Sequence, residues 1–166
     1  MTPAAKRSGR PDAAPGEARQ RGPYLVLGYD GSPGARRAVN WAAGVLPDTA
    51  SLVLVYASRP LHGPSGPLSS AAERRDYGVA LIDALLLEGE DALLDRQITT
   101  EIVDDDPVKA LTDAAARFGA DGIVVGTGRH SRVSEAIGTV THGLLSASSV
   151  PVIAVPPSAA DGDNEA

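Results

Sequence analysis

The sequence predicts an α/β domain built on five parallel strands, an open sandwich with helices on both faces. Three observations lead there. Short apolar runs recur along the chain: YLVLGY (Tyr24–Tyr29), SLVLVYA (Ser51–Ala57), DGIVVG (Asp121–Gly126) and VPVIAV (Val150–Val155). Runs of that length fit strands buried on both faces. Segments of helical period separate them, giving the order β-α-β-α-β-α-β-α-β, which closes into a parallel sheet through right-handed crossovers. Composition agrees: hydrophobic residues make up 43% but aromatics only 4%, and small aliphatic side chains suit helices packed closely on such a sheet. A chain of 166 residues accommodates one ordinary domain.

Residues 1–23 are rich in Pro, Gly, Ala and Arg without apolar period and read as a disordered basic arm ahead of a domain spanning 24–156. The first strand ends at Asp30-Gly31. Ser32-Pro33 then starts a helix, because Ser caps orphan amides and Pro is tolerated at the first helical position. Ala35, Ala38, Val39, Ala42 and Val45 follow at helical spacing, with Trp41 read as core, Arg36-Arg37 as an exposed face, and Pro47 as the stop. After the second strand, Arg59–Ser70 is a Pro/Gly/Ser loop. A helix is expected from about Ala71 to Leu94, with Leu81, Leu85 and Leu93 inward, Arg74-Arg75 exposed and Gly89 fraying it. QITTEIV (Gln97–Val103) alternates polar and apolar, as a half-exposed edge strand does. Asp106-Pro107 opens a helix to about Phe118. Residues 157–166 form a short acidic tail, expected to be disordered.

Several function classes are excluded or weakened. The net charge of −6 and pI of about 5.0 argue against a nucleic-acid binder, which needs a basic face. The absence of cysteine rules out disulfides, thiolate metal sites and Cys nucleophiles, and is compatible with the cytoplasm, the expected location. No apolar run approaches the roughly 18 residues of a membrane span, and the N-terminus has no apolar stretch of a secretory signal. His62, His130 and His142 have no metal-site spacing, so no metal site is expected. The trio Asp104-Asp105-Asp106 has carboxylates that can hold a hard cation, but a helix cap at Asp106 explains it more simply. No acid–base pair or Gly-x-Ser-x-Gly elbow occurs, so no catalytic residue is assigned and an efficient enzyme is not expected.

Ligands of open parallel sheets bind at the carboxyl ends of the strands, where the strand order reverses. After the fourth strand comes GTGRHSRVSEAIGTVTHG (Gly126–Gly143). Gly126 and Gly128 let the backbone turn sharply and approach a ligand. Gly138-Thr139 opens the next helix, whose amides attract anions, and the Thr139 and Thr141 hydroxyls add donors. These can also be ordinary loop glycines and a helix cap. There is no Walker element. After the first strand, Asp30 either accepts hydrogen bonds from a ribose or adenine amino group, or fixes its own turn by bonding the amide two residues on.

Three stretches together are more specific than any one of them. YLVLGYDGSPGARRAVNWAA, VDDDPVKALTDAAARFGADGIVVGTGRH and GTVTHGLLSASSVPVIAVP resemble the opening, middle and end of universal stress proteins, over about residues 24 to 156. The resemblance implies a Rossmann-like, adenine nucleotide alpha hydrolase-like fold. ATP-binding members carry Gly-x2-Gly-x9-Gly-Ser/Thr. Here Gly128-x9-Gly138-Thr139 is intact, while the first interval, Gly126-x-Gly128, is one residue short. The family's strand-one Asp falls on Asp30, and its adenine-contacting position falls near Ala57. The implied nucleotide-binding set is Asp30, Ala57, Gly126, Gly128, Arg129, Gly138, Thr139, Val140 and Thr141. The implied ligand is ATP, or AMP or ADP, with Mg as an optional companion of the phosphates. The implied role is a stress-response sensor or adaptor; the alternatives are a dimeric interaction protein without nucleotide and, with less support, a nucleotide hydrolase.

The fifth strand should end the sheet. Its apolar edge has Pro151 near the start and no charges to guard it, which invites pairing with another chain. A twofold copy closes that contact, and universal stress proteins commonly dimerise through this strand. A homodimer through Val150–Val155 is therefore expected.

Overall fold

The protein is described by a computed structural model that covers residues 22–58, 70–88, 93, 96–128 and 138–157. Most of the expected basic arm and acidic tail, the loop after the second strand, and the histidines at 62 and 130 lie outside the described residues.

The elements follow the expected order: β1 (Tyr24–Gly28), α1 (Pro33–Val45), β2 (Ser51–Ala57), α2 (Ala71–Glu88), β3 (Gln97–Val103), α3 (Pro107–Phe118), β4 (Gly122–Gly126), α4 (Thr139–Ala147) and β5 (Val152–Val155). All pairings are parallel, in the order β3-β2-β1-β4-β5. β3 and β5 are thus the two edges, as the sequence predicts. β5 begins later than expected because Pro151 has no amide to give the ladder; its carbonyl still accepts from Ile123 N at 2.9 Å.

Alternation along the central strands sorts the core into two layers. Leu25, Leu27, Leu52, Leu54 and Tyr56 turn toward α1 and α2, together with Val124. Val26, Val53, Val55, Ile123 and Val125 turn toward α3 and α4. The larger side chains meet the first face, and β-branched valines meet the alanine-lined face of α3 (Ala110, Ala114, Ala115). Small residues on both sides of that contact let helix and sheet approach closely.

The two helix starts marked by Pro form as their chemistry dictates. Ser32 Oγ accepts from Ala35 N at 3.1 Å, capping α1. Asp106 Oδ1 accepts from Val108 N and Lys109 N at 3.0 and 3.2 Å, capping α3. Its neighbour Asp105 pairs with Lys109 at 2.8 Å. Asp104 pairs instead with Arg74 at 3.2 Å and accepts from Ser58 Oγ at 2.8 Å, and among the described residues no group of His, Asp and Glu is placed to hold a metal. α2 starts on a reciprocal capping box, in which Ser70 and Glu73 each accept the other's backbone amide.

α2 is described to Glu88, and most of its expected extension to Leu94 lies outside the described residues. Three expectations need correction. Val45 is 61% exposed, because α1 ends there and Leu46 packs on the core in its place. Trp41 packs on the border of the first layer, only partly buried. Arg37 and Arg74 are half-buried and bonded, whereas Arg36, paired with Glu88, and Arg75 are exposed.

Arg96, which no sequence signal marks, has a side chain only 2% exposed. Its guanidinium donates to the carbonyls of Pro47, Ala43 and Leu46 at 2.6, 3.0 and 2.8 Å. A planar fork of donors thereby satisfies the Ala43 and Leu46 carbonyls that α1 leaves orphaned at its C-terminus, and shares the Pro47 carbonyl with Ala50 N. Replacing Arg96 with Met should cost about 3 kcal/mol of stability in urea unfolding, since one buried and two part-buried carbonyls lose a charged donor.

Candidate functional site

The strand order reverses between β1 and β4. α1 leaves β1 toward one face of the sheet, and α4 follows β4 on the other. A cleft of about 570 Å³ opens there, at the carboxyl ends of the strands. That volume suits a drug-sized or nucleotide-sized ligand.

Every candidate residue within the described regions lines this cleft: Asp30, Ala57, Gly126, Gly128, Gly138, Thr139, Val140 and Thr141. Residues separated by over a hundred positions thus converge on one concavity. Arg129 lies outside the described residues. The structure adds contributors that sequence reasoning missed. Pro107 and Leu111 of α3, with Val55 and Val125, form its apolar floor, and Gly28, Ser32 and Ala35 complete the wall. The position of Pro107 straight after the β3 loop was a usable signal, since every such loop opens at the ligand end of a parallel sheet.

Asp30 is exposed, and its Oδ1 accepts from Ser32 N at 2.9 Å. The turn-fixing role is therefore occupied. Gly31 at φ 79° completes the turn in a conformation that disfavours other residues. Ser32 in turn caps α1, so the turn places the Asp30 carboxylate at the cleft while the helix starts behind it.

Tyr29 also borders the cleft, but its ring belongs to the layer under α1 and α2. Its hydroxyl is buried with no hydrogen-bond partner. Burial raises the phenol above its ordinary pKa, an effect that Arg36 opposes and Glu88 reinforces. The group stays protonated at neutral pH.

The glycines fall into two kinds. A Cβ on Gly126 would overlap the carbonyl of Gly34 in the first turn of α1. Close packing of backbone on backbone therefore accounts for Gly126. A Cβ on Gly138 would meet no described atom within 4 Å. Gly138 is the N-cap of α4, at φ −62° and ψ 158°, and among the described residues no side chain caps that helix. The amide end of α4 thus borders the cleft, and a helix N-terminus is where an anion is favoured.

The model of the universal stress protein family matches residues 25–156. The chain belongs to this family. No curated protein matches it. Among solved structures, a universal stress protein in complex with cAMP is similar, at 26% identity and a TM-score of 0.56, covering 83% of this chain and 99% of that one. A universal stress protein from Lactobacillus plantarum shares the fold at 20% identity and TM-score 0.60, covering 81% and 98%. So does a family member from Arabidopsis thaliana with AMP bound, at 15% identity and TM-score 0.61, covering 86% and 97%. The Rossmann-like, adenine nucleotide alpha hydrolase-like fold is the one this family has.

The two kinds of glycine should separate in stability measurements. Gly126→Ala should lose about 3 kcal/mol or more in urea unfolding, by overpacking. Gly138→Leu should stay within about 1 kcal/mol of the unmodified protein, the scale of a changed cap. Equal losses would show that Gly138 is held by packing as well.

Proposed function

We propose that this universal stress protein binds an adenine nucleotide in the cleft between β1 and β4, and acts as a nucleotide-responsive sensor or adaptor. One observation carries the reading: the amide end of α4, Asp30 and the apolar residues Pro107 and Leu111 of α3 line one nucleotide-sized cleft. The phosphates would lie against the amides of Thr139, Val140 and Thr141, with Gly128 and Arg129 closing over them. Asp30 keeps a second carboxylate oxygen for a ribose hydroxyl or the adenine amino group, and Ala57 would lie beside the base. The relatives described with cAMP and with AMP support an adenine nucleotide. ATP is the form the glycine spacing favours, with Mg as an optional companion. No acid–base pair lines the described cleft, and we assign a binding role rather than catalysis.

A second reading is a dimeric interaction protein that takes no nucleotide. It draws support from Gly126 and Asp30, whose identities packing and turn formation already explain. Calorimetric titration separates the two. Micromolar to millimolar binding of ATP or AMP that falls at least about tenfold in Gly138→Leu is expected. Absence of heat from the unmodified protein at millimolar nucleotide favours the second reading, and steady ATP turnover well above background contradicts the binding-only role.

Both readings include a homodimer through the β5 edge. The unpaired side of Val152–Val155 is apolar and carries no charged residue, the kind of edge that pairs unless guarded. Val152→Lys should convert dimers to monomers in sedimentation velocity, and an unchanged dimer would refute this edge.

A further inference from the structure

We propose that Arg37 is a positioning residue of the cleft, one that fixes the Gly128 amide as a donor to the phosphate of the bound nucleotide. The inference rests on the nucleotide reading above. Arg37 does not line the cleft, so any effect must pass through what it touches. Its Nη2 donates to the carbonyl of Thr127 at 2.7 Å, across 90 residues of sequence, in a part-buried setting.

Thr127 is held on its other side as well. It is 4% exposed, its amide donates to Val155 O at 2.9 Å, and its hydroxyl donates to the same carbonyl at 3.3 Å. The residue is therefore clamped between β5 and α1. Beneath it, the first turn of α1 comes so close that a Cβ on Gly34 would stand 3.1 Å from the Thr127 carbonyl oxygen. Gly34 and Arg37 are three apart and share a helix face, so the turn that admits the carbonyl also supplies its donor.

The peptide joining Thr127 to Gly128 is trans. In a trans peptide the C=O and the following N–H point in opposite directions. Holding the carbonyl against α1 turns the Gly128 N–H away from α1, and Gly128 is a cleft residue. Glycine alone leaves this peptide free to rotate. Arg37 removes that freedom before the ligand arrives, and preorganised donors bind anions without an ordering cost.

The test is calorimetry with AMP and with adenosine, which differ by the phosphate. Arg37→Met, which keeps much of the stem but no donor, should weaken AMP about tenfold, the scale of one charge-assisted hydrogen bond. Adenosine should weaken less than about twofold. Unchanged AMP affinity, or equal losses for both ligands, overturns the positioning role and leaves the nucleotide reading intact. Failure of the unmodified protein to bind either ligand overturns that reading, and the donor role with it. A variant-free measurement guards against a folding defect. In the unmodified protein, the Gly128 amide resonance should shift on saturation with AMP and remain in place with adenosine. A Gly128 amide unmoved by AMP overturns the proposal.

Discussion

The first turn of α1 lies directly on the backbone at the end of β4. Gly34 and Gly126 leave no room for a side chain between them, and Arg37 bonds across the contact to Thr127. Much of the molecule's arrangement depends on this approach. It brings α1 over the junction of β1 and β4, where the strand order reverses. It buries Ala35, Ala38, Val39 and Ala42 against the leucine face of the sheet. It also fixes the direction in which the chain leaves β4, and so where the glycine turn begins. A side chain at Gly126 would push helix and strand apart and lift the wall of the cleft.

The same contact joins the candidate site to the edge of the sheet. Thr127 donates twice to Val155, the last residue of β5, and accepts from Arg37 on α1. The strand with the unpaired edge is therefore one residue from the start of the cleft turn. No conformational coupling follows from adjacency alone, since coupling needs an element with two states.

The element plan was legible because each kind of element left a physical trace. Strands buried on both faces read as continuous apolar runs, and Ser32-Pro33 and Asp106-Pro107 satisfy helix-start amides while fixing the first φ. The cleft was legible in part. Glycines and Asp30 sit at the ends of strands, where topology puts ligand sites, and those positions do meet in one concavity. Leu111 was not legible as a cleft residue, because its role depends on the crossover from β3 that lays α3 against β1 and β2. Arg37 and Arg96 were missed for a related reason. An arginine in a helix or after one reads as solvated, and its burial depends on carbonyls supplied 90 or about 50 residues away.

The short step Gly126-x-Gly128 looks different in this light. In sequence it is one residue shorter than the Gly-x2-Gly spacing that the family resemblance implies. In the structure, Gly126 serves the helix–strand contact and Gly128 borders the cleft, so the two glycines have separate jobs. Thr127 between them is the residue that both β5 and α1 hold. A longer step would add a residue that neither neighbour anchors. The short step instead carries the clamp at Thr127 straight to the Gly128 amide. Shortening can therefore make the turn stiffer at the point where a phosphate would meet it, and need not close the cleft.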